Sequence, residues 1–315
     1  MKVIAVILII LCILLIISYI KHRIQLGKEA PLRSPLGSLV KVNGHNMSLY
    51  AEGTGDKIIV FMSGSGTSSP ILDFKSLYSL LSNDYKIVVV EKFGYGFSDI
   101  IKENRDIDTV LNQTRAALIA EGLNGPYVLC PHSMSGLEAL YWAQQYPEEV
   151  DAIVGLDMAV PQYYEIMKIN IPATMFVQQT IQYAARLGIT RLLPNISELD
   201  AIKYGTLTEE EKAIYRAVFY NRTATATMIE EVKSVKENAS TVERGGVPQV
   251  PMLLFISDGS GGTGFDMETW RQIPKDYIAK VPNGKYVELN CPHYVHNYEF
   301  EKISEEIKGF LSGIV

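Results

Sequence analysis

Apolar positions recur along this chain in three different rhythms. Val3 to Ile20 is an unbroken run of eighteen uncharged residues, VIAVILIILCILLIISYI. At ~1.5 Å per residue in a helix it reaches ~27 Å, enough for the hydrocarbon core of a bilayer. Shorter runs of four to six apolar residues follow: KIIVFM, KIVVVEKF, PYVLC, DAIVGLD, PMLLFIS and KYVELN. Between the first of these lie stretches with a period of three to four, near 74–81, 107–121 and 135–145. Strand and helix alternating on short connections predict a mostly parallel sheet with helices on both faces.

Two departures frame that core. Ahead of it, SLVKV-NG-HNMSLYAEG predicts a hairpin, because Asn43-Gly44 suits a turn with φ > 0 at both central residues. Between DAIVGLD and PMLLFIS the strand rhythm stops, and about 161–250 shows helical periods only, as in MFVQQTIQYAARL and EEEKAIYRAVFY. This predicts a helical cap inserted into one α/β core. The last stretch places Phe300, Ile303, Ile307 and Leu311 at helical spacing. The resulting division is an anchor at 1–20, a juxtamembrane linker at 21–37 marked by Pro31 and Pro35, and a domain at 38–315.

Composition narrows the function. A formal net charge of −6 offers no basic patch for nucleic acid, and neither zinc-ligand spacing nor a phosphate-cradling glycine loop occurs. No cofactor is expected. The apolar leader is longer than a signal-peptide core and lacks a small-residue cleavage site, so it reads as an uncleaved single-pass anchor. The expected partners are therefore a lipid bilayer and a small-molecule substrate, and the expected location is a membrane, with the cell membrane the first choice. Lys21, Arg23, Lys28 and Arg33 follow the span, which by the positive-inside rule puts the domain in the cytoplasm. A two-residue tail with its own Lys2 equally suits an anchor that exports the domain behind it. Cys12, Cys130 and Cys291 show no framework spacing and read as free thiols, with a Cys130–Cys291 pair as the alternative.

The candidate chemistry begins at YVLCPHSMSGLEALYWAQQYP. Ser133 sits where a short apolar strand meets a helix start, with small residues at Ser135 and Gly136. A nucleophilic hydroxyl needs such a sharp turn to stand clear of the sheet, and N–H groups at a helix start face negative charge. The segment resembles the G-x-S-x-G elbow of the α/β-hydrolase family through His132, Ser133, Met134 and Gly136, with Pro131 and Ser135 in place of two glycines. Further matches extend the resemblance from about Lys41 to the C-terminus. Ser63-Gly64-Ser65-Gly66 stands where the family carries H-G-x-G. VVVEKFGYGFSD resembles D-x-x-G-x-G-x-S-D, with Glu91 in an architectural role. NCPHYVHNYEFEKI is similar to the family's histidine loop.

The resemblance implies a Ser-His-acid triad and a covalent acyl-enzyme. Ser133 is then the nucleophile and His293 the general base, with His296 on the second histidine of the loop. The N–H groups of Ser65 and Met134 form the oxyanion hole. The acid has two candidates: Asp157, in a segment much like the G-L-D-P-A of pancreatic-type lipases, is the first choice, and Asp258, beside the usual later position, is the second. Serine at the elbow argues against the dehalogenase and epoxide hydrolase relatives, which use aspartate there. Tyr163, Tyr164, Met167, Phe176, Tyr183 and Phe219 suggest an apolar cap pocket for a small or medium acyl ester, and taken one by one they read equally as the core of the cap. A peptidase or C–C bond hydrolase, and a non-catalytic binding protein on the same fold, are the alternatives.

Overall fold

A computed structural model describes residues 2–314. Eight strands form one sheet: β1 (Ser38–Val42), β2 (His45–Glu52), β3 (Ile58–Met62), β4 (Lys86–Glu91), β5 (Tyr127–Pro131), β6 (Val150–Leu156), β7 (Met252–Ile256) and β8 (Lys285–Glu288). Their order is β1-β2-β4-β3-β5-β6-β7-β8, antiparallel across β1-β2-β4 and parallel from there on. The β1–β2 turn is at Asn43-Gly44, both with positive φ.

The apolar runs are continuous because both faces of the parallel strands are covered. Val60, Met62, Val88, Val90, Leu129 and Leu254 point to one side, under the helices Ile107–Ala120, Ser135–Gln145 and Met267–Ile278. Their alternates Ile59, Phe61, Ile87, Val89, Val128 and Phe255 point to the other, under the helix Phe300–Ser312 and two short helices, Pro70–Asp73 and Lys75–Tyr78. The single helix expected at 74–81 is thus two helical turns meeting at Phe74, and the earlier one delivers a buried Asp73 to the histidine loop. Helix Met267–Ile278 has no forerunner in the apolar rhythm; Asp266 starts it by accepting from the Thr269 N–H.

Between β6 and β7 the chain is helical, as the rhythm predicts, with the main helices at Pro161–Ile166, Ile171–Arg186, Glu209–Arg222 and Ala226–Arg244. Thr208 and Glu211 close a reciprocal capping box at the third of these. The N-terminal helix runs from Lys2 to Lys28, past the apolar run and through the first part of the expected linker. Residues 21–28 are mostly good helix formers, and their inner side packs on the insertion at Gly188. Pro31 then disfavours helix at Ala30, and a 3₁₀ turn covers Ala30–Arg33.

Candidate active site

Parallel strands deliver their C-terminal ends to one edge of the sheet, where Ser133 after β5, Asp157 after β6 and His293 in the loop after β8 meet. At the end of β5, Ser133 takes a left-handed φ of 53°, which a non-glycine residue adopts only when its surroundings hold it. Those surroundings are explicit. The Ser133 carbonyl accepts from Gly136 N–H (2.9 Å) and Ala159 N–H (2.8 Å), and the Ser135 hydroxyl reaches the Met62 carbonyl at 2.6 Å. Gly136 is required by contact: a Cβ there would stand 2.2 Å from the Ala159 carbonyl oxygen. Ser135 therefore does by hydrogen bond what small size alone does for a glycine.

At the end of β6, Asp157 is also left-handed, with φ 46°, and is buried. One carboxylate oxygen accepts from the Ser257 N–H (2.7 Å) and from Trp270 Nε1 (2.9 Å); the other accepts from the Ser257 hydroxyl (2.6 Å). That second oxygen also lies 2.6 Å from His293 Nδ1. A carboxylate can only accept, so Nδ1 carries the proton and Nε2 is left as an acceptor. His293 Nε2 lies 2.8 Å from Ser133 Oγ. The second candidate acid, Asp258, is turned elsewhere: its carboxylate accepts from the Ser260 N–H at 2.8 Å. Asp266 is the helix cap already described.

Ser65 and Met134 both line the cavity that holds Ser133 and His293, and Gly64 presses to within 2.6 Å of Ser133 Cβ when given a Cβ of its own. Among the described residues, neither the Ser65 nor the Met134 N–H is committed to another hydrogen bond. The cavity is about 480 Å³, with Tyr163, Tyr164, Met167, Ile169, Val232 and Val235 on its apolar walls. Of the other aromatics expected to line a cap pocket, Phe176 and Tyr183 face outward and Phe219 is buried outside that wall.

Behind His293 lies a second polar cluster. His132 Nε2 is 3.2 Å from the His293 carbonyl, so that nitrogen bears the proton. Burial, and then the neighbouring His293 and His296 rings, hold the His132 pKa well below the ordinary histidine range, which keeps the ring neutral. His296 Nε2 lies 2.8 Å from Asp73, whose other oxygen accepts from Tyr215 in the Glu209–Arg222 helix. Neither Asp73 nor Trp270 could be found from the sequence as a neighbour of the histidines. Both come from elements whose docking is a tertiary event, and nothing local marks them. Among the described residues no group of three or more metal-ligating side chains converges.

Glu91 is fully buried and accepts from the Phe97 N–H at 2.8 Å, tying the loop after β4 to its strand. Burial pushes its pKa up to about 7. Cys130 and Cys291 are free thiols; burial raises both, Cys291 to about 12.

These features define a class. A family model of the alpha/beta hydrolase fold matches residues 57–296, and the chain belongs to that family. It is 36% identical over 289 residues to the uncharacterized protein YbdG of Bacillus subtilis strain 168, covering 90% of this chain and 88% of that one. Among solved structures, the enol-lactonase of Burkholderia xenovorans superposes with a TM-score of 0.64 at 14% identity, covering 87% of this chain and all of that one (100%). An epoxide hydrolase of Bacillus megaterium gives 0.65 at 18% identity, over 87% and 100%. At these identities the likeness to the solved structures is one of fold.

Proposed function

We propose that this protein is a serine hydrolase that cleaves an acyl ester through Ser133, His293 and Asp157. The observation that carries the reading is the unbroken chain from Asp157 Oδ2 through the His293 ring to Ser133 Oγ, with contacts of 2.6 and 2.8 Å. His293 takes the hydroxyl proton as Ser133 attacks the carbonyl carbon, then returns it to the departing alcohol. Asp157 fixes the tautomer and stabilises the imidazolium. The tetrahedral oxyanion is held by the N–H groups of Ser65 and Met134; losing one such donor costs about 3 kcal/mol of transition-state stabilisation. Water then releases the acyl group by the same steps reversed.

The hydroxyl at the elbow argues for acyl transfer, since the family resemblance implies aspartate at that place in dehalogenases and epoxide hydrolases. The apolar wall of Tyr163, Tyr164, Met167 and Ile169 favours an aliphatic or aromatic acyl group. We also infer that residues 161–250 act as the cap over Ser133, and that Val3–Ile20 anchors the enzyme in a membrane. The apolar side chains of that helix face outward from the rest of the chain.

The test is labelling with a fluorophosphonate probe, which reacts only with an activated hydroxyl. Wild type is expected to label, and Ser133→Ala and His293→Ala are not. Labelling that survives in Ser133→Ala overturns the assignment.

A further inference from the structure

The helix Ile171–Arg186 is unlike its neighbours in the insertion. In Glu209–Arg222 and Ala226–Arg244 the outward positions carry charge, among them Glu209, Glu210, Glu230, Lys233 and Glu237. In IPATMFVQQTIQYAAR the only charged residue is the last, Arg186. Its outer stripe is Ala173, Phe176, Val177, Thr180 and Tyr183, with Ile181 beside it. Phe176 is 70% exposed, Val177 54% and Tyr183 61%. Just beyond the helix, Leu192 is 67% exposed and Leu193 51%. A helix face whose exposed positions from Ala173 to Tyr183 carry no charge, and are apolar but for Gln179 and Thr180, marks a surface that another phase or partner covers.

The fold says which. This same segment is clamped to the N-terminal helix where its apolar run ends. Gly188 lies so close to that helix that a Cβ would meet His22 Cβ at 2.5 Å and the Ser18 carbonyl at 3.0 Å. Arg191 grips the Glu29 carboxylate with both terminal nitrogens, at 2.9 and 2.6 Å, and His22 Nδ1 with Nε at 2.9 Å. Leu192 shares a cleft with Ser18, Lys21, Ile24 and Lys28. Leu192 and Leu193 therefore sit beside the end of the run that enters the membrane. Tyr19 and the cations Lys21 and Arg23 mark that level as an interface. The start of the same helix meets the catalytic cavity, since Ile169, Asn170 and Thr174 line it.

We propose that the outer face of Ile171–Arg186, with Leu192 and Leu193, lies in the headgroup–acyl boundary of the anchoring bilayer, and that the substrate is a membrane-resident ester which enters the cavity there. This rests on the anchor and hydrolase readings, so its test separates the three. The full-length protein is placed in phosphatidylcholine–phosphatidylglycerol vesicles with brominated acyl chains. Trp142 and Trp270 are buried and emit in every variant, so the signal of a tryptophan added at position 176 is read as the difference from wild type in the same vesicles. That added emission is expected to fall by about half for Phe176→Trp against unbrominated vesicles, and for Tyr286→Trp, on the edge strand farthest from β1, it is expected not to change. An unquenched Phe176→Trp in carbonate-washed vesicles overturns the docking while leaving the anchor in place. Quenching that follows protein density instead of bromine names a second copy as the occupant and also overturns it. Protein that washes off the vesicles removes the anchor and the proposal together.

The substrate half is read with Phe176→Glu/Ile181→Glu. Turnover of a long-chain ester carried in vesicles is expected to fall by about tenfold, with soluble p-nitrophenyl butyrate within about twofold of wild type. Equal effects on both esters overturn it. A wild type inert on both esters refutes the hydrolase reading and this half, and the quenching result still judges the docking.

Discussion

Two buried aspartate–histidine pairs lie side by side in this protein, and only one of them reaches a hydroxyl in a cavity. Asp157 meets His293 at 2.6 Å, and Asp73 meets His296 at 2.8 Å. Each imidazole points one N–H at a carboxylate. The difference is on the far side of each ring. His293 turns Nε2 to the Ser133 hydroxyl at 2.8 Å, in a cavity open to a ligand. His296 has no exposed surface, and among the described residues its Nδ1 meets no partner. The carboxylates differ as well. Asp157 is braced by Ser257 just after β7 and by Trp270 in the helix Met267–Ile278, whereas Asp73 takes its second bond from Tyr215 in the helix Glu209–Arg222. A His–Asp contact is thus no sign of catalysis by itself; a free nitrogen facing a hydroxyl in a cavity is the distinguishing feature. The second pair ties the insertion to the loop that carries His293, three residues upstream of His296.

The widest separation between the pairs comes from removing the reacting groups. Ser133→Ala and His293→Ala should each lower kcat by about 10⁴-fold or more on a p-nitrophenyl ester, whereas His296→Gln should cost less than about tenfold in the folded enzyme. Comparable losses from His293 and His296 would abolish the distinction between the pairs. Exchanging the carboxylates is nearly as sharp. Asp157→Asn leaves the geometry but removes the charge that sets the tautomer, and kcat should drop by about 10⁴-fold. Asp258→Asn should stay within about twofold of wild type, because its carboxylate serves only the Ser260 turn. Inactivity of Asp258→Asn with full activity of Asp157→Asn would reverse the choice of acid.

Asp73→Asn should register in stability. The substitution weakens a buried carboxylate's bonds to His296 and Tyr215 at once, and each hydrogen bond to a charged group is worth about 1.5–3 kcal/mol. Denaturant midpoints should shift accordingly while kcat of the remaining folded enzyme changes by less than about tenfold. A drop in kcat with unchanged midpoint would move Asp73 into the catalytic chain.

The setting of the first pair is largely legible in the amino-acid sequence, and that of the second is not. The α/β rhythm and the small-residue turn at Ser133 mark the sheet and the elbow, because period and turn chemistry are local properties. His293 is legible because it follows a strand near the chain's end. The choice between Asp157 and Asp258 is not local: both follow apolar strands, and what separates them is the adjacency of β6 and β7, which lets Ser257 serve Asp157. Asp73 lies in a four-residue helix with no period of its own. The extension of the N-terminal helix to Lys28 depends on Gly188 and Arg191, more than 150 residues away.

Glu91 completes the set as a buried carboxylate with no imidazole beside it, and it predicts the smallest effect. Burial raises its pKa in the fold to about 7, against 4.5 for the free group, so between those values the native state holds a proton that the unfolded chain has released. Stability carried by the protonated form is complete below about pH 4.5, declines as pH rises, and is gone above about pH 7. The slope is about 1.4 kcal/mol per pH unit and the total about 3 kcal/mol. Glu91→Gln keeps an acceptor for the Phe97 N–H and cannot ionise. Its stability relative to wild type should therefore improve by up to about 3 kcal/mol from pH 5 to pH 8, measured by guanidinium unfolding at each pH. A constant difference across that range would mean that Glu91 is ionised throughout, held by a cation as Asp157 is held by His293 when the imidazolium forms. The contrast between paired and unpaired buried carboxylates would then fail at its simplest member.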